Sequence, residues 1–165
     1  MSFPSTYPGT LDTRKKFING GAKVGTTAGW VVNAANDIGR MATIPAGVTA
    51  GTLVVPLNGL TVGDIIISVH LVGQIESAGN ACTVDMDIRK LTAAAADLTD
   101  ASLDTMTQLS VTADTIISEA NASKTLTTPE TLGANESLYV LITVTTAAAT
   151  DVDLMGVAVT FKQAI

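Results

Sequence analysis

From position 41 onward, apolar and polar residues alternate with a period of two, the signature of half-buried β-strands and not of helices. The cleanest stretch runs from 82 to 90. There Cys82, Val84, Met86 and Ile88 share one face, and Thr83, Asp85, Asp87 and Arg89 the other. A second row has Leu138, Val140, Ile142 and Val144 on one side and Tyr139, Leu141 and Thr143 opposite. After a linker at 145–153 the chain returns through Met155, Val157, Val159 and Phe161, and the pair reads as a β-hairpin. Residues 65–75 read as a long apolar strand, entered through a turn at 60–64. Residues 51–57 read as a shorter one, where Pro56 points to an edge position because proline cannot donate to a ladder. Strand character resumes at 109–118, and 124–132 is a short strand or turn interrupted by Pro129. The stretch 91–107, rich in Ala, Thr and Asp, reads as a crossover with one helical turn at 93–96. Such a succession of short strands predicts an all-β fold, an antiparallel β-sandwich or jelly roll, for residues 41–165.

Residues 1–40 show neither period, and Pro4, Pro8, Gly9, Gly20, Gly21, Gly25 and Gly29 punctuate them. This stretch is expected to be an extended N-terminal arm that gains order from neighbours, so that deleting 1–28 leaves a folded body. Its partner-binding candidates are the cations Arg14, Lys15 and Lys16 and the apolar Phe17, Ile18 and Trp30. Trp30 admits two readings, since it also suits a first strand that plugs the end of the core. On the body, Tyr139 and Leu141 are apolar where a solvated strand face would be polar, which marks a candidate interface face.

Composition changes this picture in two ways. Hydrophobic residues make up 47% of the 165 and charged ones only 15%, which excludes intrinsic disorder. Thr and Ala number about two dozen each, and threonine suits a pleated, half-buried surface. Charge is also divided: +3 through Arg40 and −9 after it, for a net −6. A basic arm on an acidic protein surface fits that division. A few dispersed cations are a thin footprint for nucleic acid, and no nucleic-acid partner is expected. No apolar run approaches the 18 or so residues of a membrane span, and the first residues lack the form of a secretory signal.

Candidate chemistry is sparse. His70 is the lone histidine and Cys82 the lone cysteine; with its parity to Val84, Cys82 is expected in the core, where a thiol is inert. Asp85 and Asp87 lie on one strand face about 7 Å apart, a spacing seen in glycosidase carboxylate pairs, but Arg89 continues the row and compensates it. Asp151 and Asp153 are placed in a loop that suits Ca²⁺, without the twelve-residue ligand pattern. No phosphate loop or dinucleotide fingerprint occurs. The expectation is a non-enzymatic protein with no catalytic residue, no metal and no cofactor.

Residues 62–69, 71–80, 84–92 and 135–143 (the last reading Asn-Glu-Ser-Leu-Tyr-Val-Leu-Ile-Thr) carry a strand-and-turn rhythm. It resembles small β-sandwich structural proteins of tailed bacteriophages. The resemblance covers about two-thirds of the chain, rests on rhythm and not on a reactive signature, and excludes the segment before position 46. It implies a capsid decoration (cement) protein on the virion's capsid exterior that clamps neighbouring capsomers. The major capsid protein would be its partner, and it would assemble with itself as a homotrimer. The alternative is a phage tail-fibre or carbohydrate-binding β-sandwich module.

Overall fold

The structure, a computed structural model, describes residues 12–32, 39–95, 97–147 and 149–163; the first 11 residues of the expected arm lie outside the described residues. In chain order the strands are β1 (Asp12–Ile18), β2 (Lys23–Val24), β3 (Val31–Val32), β4 (Ala42–Ile44), β5 (Ala50–Pro56) and β6 (Ile65–Glu76). They continue as β7 (Cys82–Ala93), β8 (Leu98–Thr105), β9 (Leu109–Val111), β10 (Thr115–Ile117), β11 (Ser123–Thr131), β12 (Glu136–Thr146) and β13 (Asp151–Gln163). Every described pairing is antiparallel, and the strands form two sheets, so the fold is an all-β sandwich of the jelly-roll kind. One sheet runs β10-β6-β13-β4-β3, with β11 also on β6 and β1 also on β13. The other runs β2-β5-β12-β7-β8, with β9 also on β7.

The two inward rows read from alternation are present. Cys82, Val84, Met86 and Ile88 on β7, and Leu138, Val140, Ile142 and Val144 on β12, all lie in one core with Ile66, Val69, Leu71 and Ile75 of β6. Strands β12 and β7 pair from Glu136↔Thr92 to Thr146↔Cys82, which sets the two rows side by side. Pro56 sits beyond the short cover of β2, which pairs β5 only at Leu53 and Val54, so its missing N–H costs no ladder bond there.

Several expectations are corrected. Strands β12 and β13 form no hairpin. β12 pairs β5 and β7, whereas β13 pairs β6, β4 and β1 in the other sheet. Period-2 patterning tells which side chains face the core and is silent on which sheet a strand joins. Met155 is not in the inward row: a bulge between Leu154 and Gly156 shifts the parity, so Val152 and Leu154 face inward before it and Val157, Val159 and Phe161 after it. The stretch 91–107 is no crossover, because β7 runs on to Ala93 and turns back into β8. β8 is an edge strand, mostly exposed, and so shows no alternation. Residues 109–118 split between the sheets, β9 on β7 and β10 on β6. Pro129 falls within β11, where the register shifts between Thr125 and Glu130.

The stretch 12–32 differs most. β1 lies on the second half of β13 from Asp12↔Gln163 to Ile18↔Val157, and β2 and β3 extend β5 and β4. Close approach explains part of this. A Cβ on Gly156 would stand 2.5 Å from both the Ile18 carbonyl and the Phe17 ring, so only glycine lets β1 settle against the bulge. Gly51 plays the same part for Trp30, whose Cδ1 would be 2.9 Å from a Cβ there.

The side where β8 meets β11 is fastened by charge. Asp104 of β8 pairs with Lys124 Nζ at 2.7 Å and accepts hydrogen bonds from the Thr127 N–H and Oγ1–H, both at 2.9 Å. Lys124, then these donors, hold the Asp104 carboxyl well below the usual carboxylate range. A depressed acid contributes stability above its unfolded value, near pH 4, and loses it as pH falls toward the folded value. Asp104→Asn is therefore expected to lower the urea midpoint at pH 7, with the gap to the parent narrowing below pH 4. A gap that stays constant down to pH 3 would show that the carboxylate charge is not the fastener.

Candidate functional site

The outer face of the six-stranded sheet gathers side chains from four strands. Register places Pro56, Tyr139 and Arg89 in one row across β5, β12 and β7, and Val54, Leu141 and Asp87 in the next. Leu91 pairs with Asp100 of β8 beside them. These outward positions follow from the same pleat that sends Val55, Val140 and Ile88 into the core.

A polar cluster forms at the centre. The Arg89 guanidinium donates from Nε to Asp100 Oδ1 at 3.1 Å and from Nη2 to Asp100 Oδ2 at 3.1 Å, a two-point grip. Its Nη1 donates to Asp87 Oδ2 at 2.6 Å, and its Nε–H also reaches the Tyr139 hydroxyl at 2.9 Å. That hydroxyl donates to Asp100 Oδ2 at 2.8 Å. Its hydrogen bonds to Asp100 and then Asp87 hold Arg89 in its charged form, and Arg89 in turn lowers the Asp100 carboxyl. Burial, then Asp100, pushes the Tyr139 hydroxyl up, so it remains a neutral donor. Two carboxylates around one guanidinium leave the cluster with a net negative charge.

Tyr139 lines two open depressions. One, about 530 Å³, is lined by Gly25, Thr26, Val54, Arg89, Asp100, Tyr139 and Leu141. The other, about 350 Å³, lies against Lys23, Val54, Pro56, Leu91, Ser137 and Tyr139. Tyr139 and Leu141 point outward, as alternation predicts, and share this face with Val54, Pro56, Arg89 and Leu91. The compensation of Asp87 by Arg89 is present as well. Asp100 escapes a reading of sequence because it is 39 residues from Tyr139 and reaches it only through the β7–β8 pairing.

The arm candidates divide. Arg14, Lys15 and Lys16 are on β1: Arg14 pairs with Asp12 at 3.2 Å, Lys15 with Glu119 at 2.8 Å, and Lys16 Nζ donates to the Gly59 carbonyl at 2.9 Å. Phe17 remains 49% exposed. Ile18 and Trp30, at 6% and 4% exposure, are core residues of this same chain, so of the two readings of Trp30 the plug is the one found.

The remaining candidates carry little chemistry. Burial raises the Cys82 thiol to about 11, which keeps it protonated and unreactive at neutral pH. Burial also lowers the His70 imidazole, against the pull of Glu119, on the opposite sheet from the Tyr139 cluster. Asp151 and Asp153 are not in a loop: they begin β13, where Asp153 accepts from Thr43 Oγ1 at 2.7 Å and pairs with Arg40 at 3.1 Å. Among the described residues no group of three or more His, Cys, Asp or Glu is placed to hold a metal ion.

No family model matches the chain, and no curated protein matches it significantly. Among solved structures it is similar to the enzymatically active domain of tailspike protein 4 of Bacteriophage CBA120, at 9% identity over 90% of this chain and 19% of that one, with a TM-score of 0.32. A Ruminococcus gnavus GH29 fucosidase in complex with fucose is 14% identical over 74% of this chain and 20% of that one, with a TM-score of 0.35. The VP1 pentamer of Human Polyomavirus 6 is 8% identical over 98% and 97% of the two chains, with a TM-score of 0.21. The chain spans about a fifth of the length of the first two. These likenesses are weak, and it is the antiparallel pairing of its own strands in two sheets that makes this chain an all-β sandwich.

Proposed function

We propose that this chain is a non-enzymatic structural protein of a bacteriophage virion, one that decorates the capsid exterior and clamps neighbouring capsomers, with the major capsid protein as partner. The observation that supports it is β1, which displays Arg14, Lys15, Lys16 and the half-exposed Phe17 on an edge strand with one ladder partner among the described residues. A basic, partly apolar edge on an acidic body suits an acidic shell surface or the body of a neighbouring copy, as in a homotrimer. The second reading, a tail-fibre or carbohydrate-binding module, draws on the Tyr139–Arg89–Asp100 cluster in the wall of an open depression.

Gold-labelled antibody on intact virions separates the two readings. Label on heads supports decoration, and label confined to tails replaces it with the fibre reading. On heads, Lys15→Glu with Lys16→Glu is expected to lower occupancy several-fold at low salt and less at high salt, where surface charge is screened, while His70→Ala with Cys82→Ser leaves it unchanged. Undiminished occupancy of the charge-reversed protein would remove β1 as the anchor.

A further inference from the structure

The geometry points to a binding track for a neutral pyranose oligosaccharide across the outer face of the six-stranded sheet, centred on Tyr139. This inference rests on the carbohydrate-binding reading and gives that site its ligand class. Three observations carry it.

The first is shape. The two depressions share Val54 and Tyr139 in their linings, so they adjoin at the tyrosine. Each is of the size found for small-ligand sites, roughly 300–1,000 Å³. Two adjoining open depressions suit successive rings of a sugar chain better than a compact ligand that requires enclosure.

The second is the mixture of surfaces. Val54, Pro56, Leu91, Leu141 and the Tyr139 ring offer an apolar floor for the C–H faces of pyranose rings. Beside that floor, Asp100 and Arg89 present acceptors and donors a few ångströms apart, matching the vicinal hydroxyls of a sugar. Arg89 has five N–H donors; Asp87, Asp100 and Tyr139 take those on Nε and one on each terminal nitrogen, leaving the other two. Because the cluster is pre-paired, its polar atoms are already oriented and lose little freedom on binding.

The third is charge. Arg89 and Lys23 balance Asp87 and Asp100 along the track. With no net charge along it, the track offers no field to select a uronic or sialic acid, so the ligand is uncharged.

Calorimetric titration of the full chain tests this with the neutral hexasaccharides of cellulose, amylose, β-1,3-glucan and β-1,4-mannan, set against hexagalacturonate and 3′-sialyllactose. At least one neutral hexasaccharide is expected to bind with a sub-millimolar Kd. Tyr139→Ala and Asp100→Asn should each weaken it about tenfold or more, and Tyr139→Phe less, because it keeps the platform and loses only the hydroxyl. Unchanged melting temperatures would assign the losses to the track. Binding of the anionic sugars alone would overturn the neutral track and leave the carbohydrate reading standing. Binding of neither class would take down both, and equal affinity in parent and variants would place any sugar site elsewhere.

Discussion

Val140→Asp is expected to unfold much of the protein at room temperature, whereas Thr143→Ala, three positions further along the same strand, should leave it close to the parent. Val140 is 0% exposed, pairs Val55 and Ile88 on its two sides, and lies in the core cluster. A carboxylate there has no partner, and burying an unpaired charge or polar group is among the few single changes that cost more than about 4 kcal/mol. Total stability of a domain is on the order of 5–15 kcal/mol, so that loss is a large share of the whole. Thr143 points to the outer face opposite Asp85 and Thr52, and outer-face substitutions are usually within about 0.5 kcal/mol. Urea unfolding of both proteins measures the difference. Should Val140→Asp prove insoluble, Val140→Ala gives the same ordering through its cavity, at about 1–3 kcal/mol. Equal midpoints for the two positions would mean that β12 faces the other way.

Removal of residues 1–28 is the second large effect, and its expected direction is set by the position of β1. Without the structure, the segment reads as an arm whose loss spares the body. With β1 laid along β13, the truncation strips the ladder from Val157 to Gln163 and takes Ile18 and Ala22 out of the core. Ile18 alone accounts for about 2–3 kcal/mol of buried apolar surface. The uncovered edge of β13 also presents unpaired N–H and C=O groups next to Val157, Val159 and Phe161, a template for pairing with other copies. The truncated protein should therefore melt markedly lower and self-associate, and Ile18→Ala should reproduce part of the loss, about 2 kcal/mol or more, without new edges. A truncated protein that melts with the parent would return β1 to the status of a free arm.

What the sequence by itself determined is which side chains face inward. The pleat makes that a local property, so Cys82 to Ile88 and Leu138 to Val144 could be assigned to the core from alternation alone, and with them the outward placement of Arg89, Tyr139 and Leu141. The all-β character followed from the same period, and the buried, unreactive Cys82 from its parity. Only the tertiary structure decided which strands are neighbours. Every strand offers the same backbone donors and acceptors, so pairing is settled by how the rows pack together and not by any residue type. That is why β12 and β13 look like a hairpin yet join different sheets, and why one bulge at Leu154–Gly156 exchanges Met155 for Leu154 in the core. It is also why β8, exposed along most of its length, carries no readable period although it supplies Asp100 to Arg89 and Tyr139. The segment 12–32 lacks a pattern for a related reason. Short edge strands bury few side chains, and what holds Ile18 and Trp30 is room left by Gly156 and Gly51, 138 and 21 positions further along the chain.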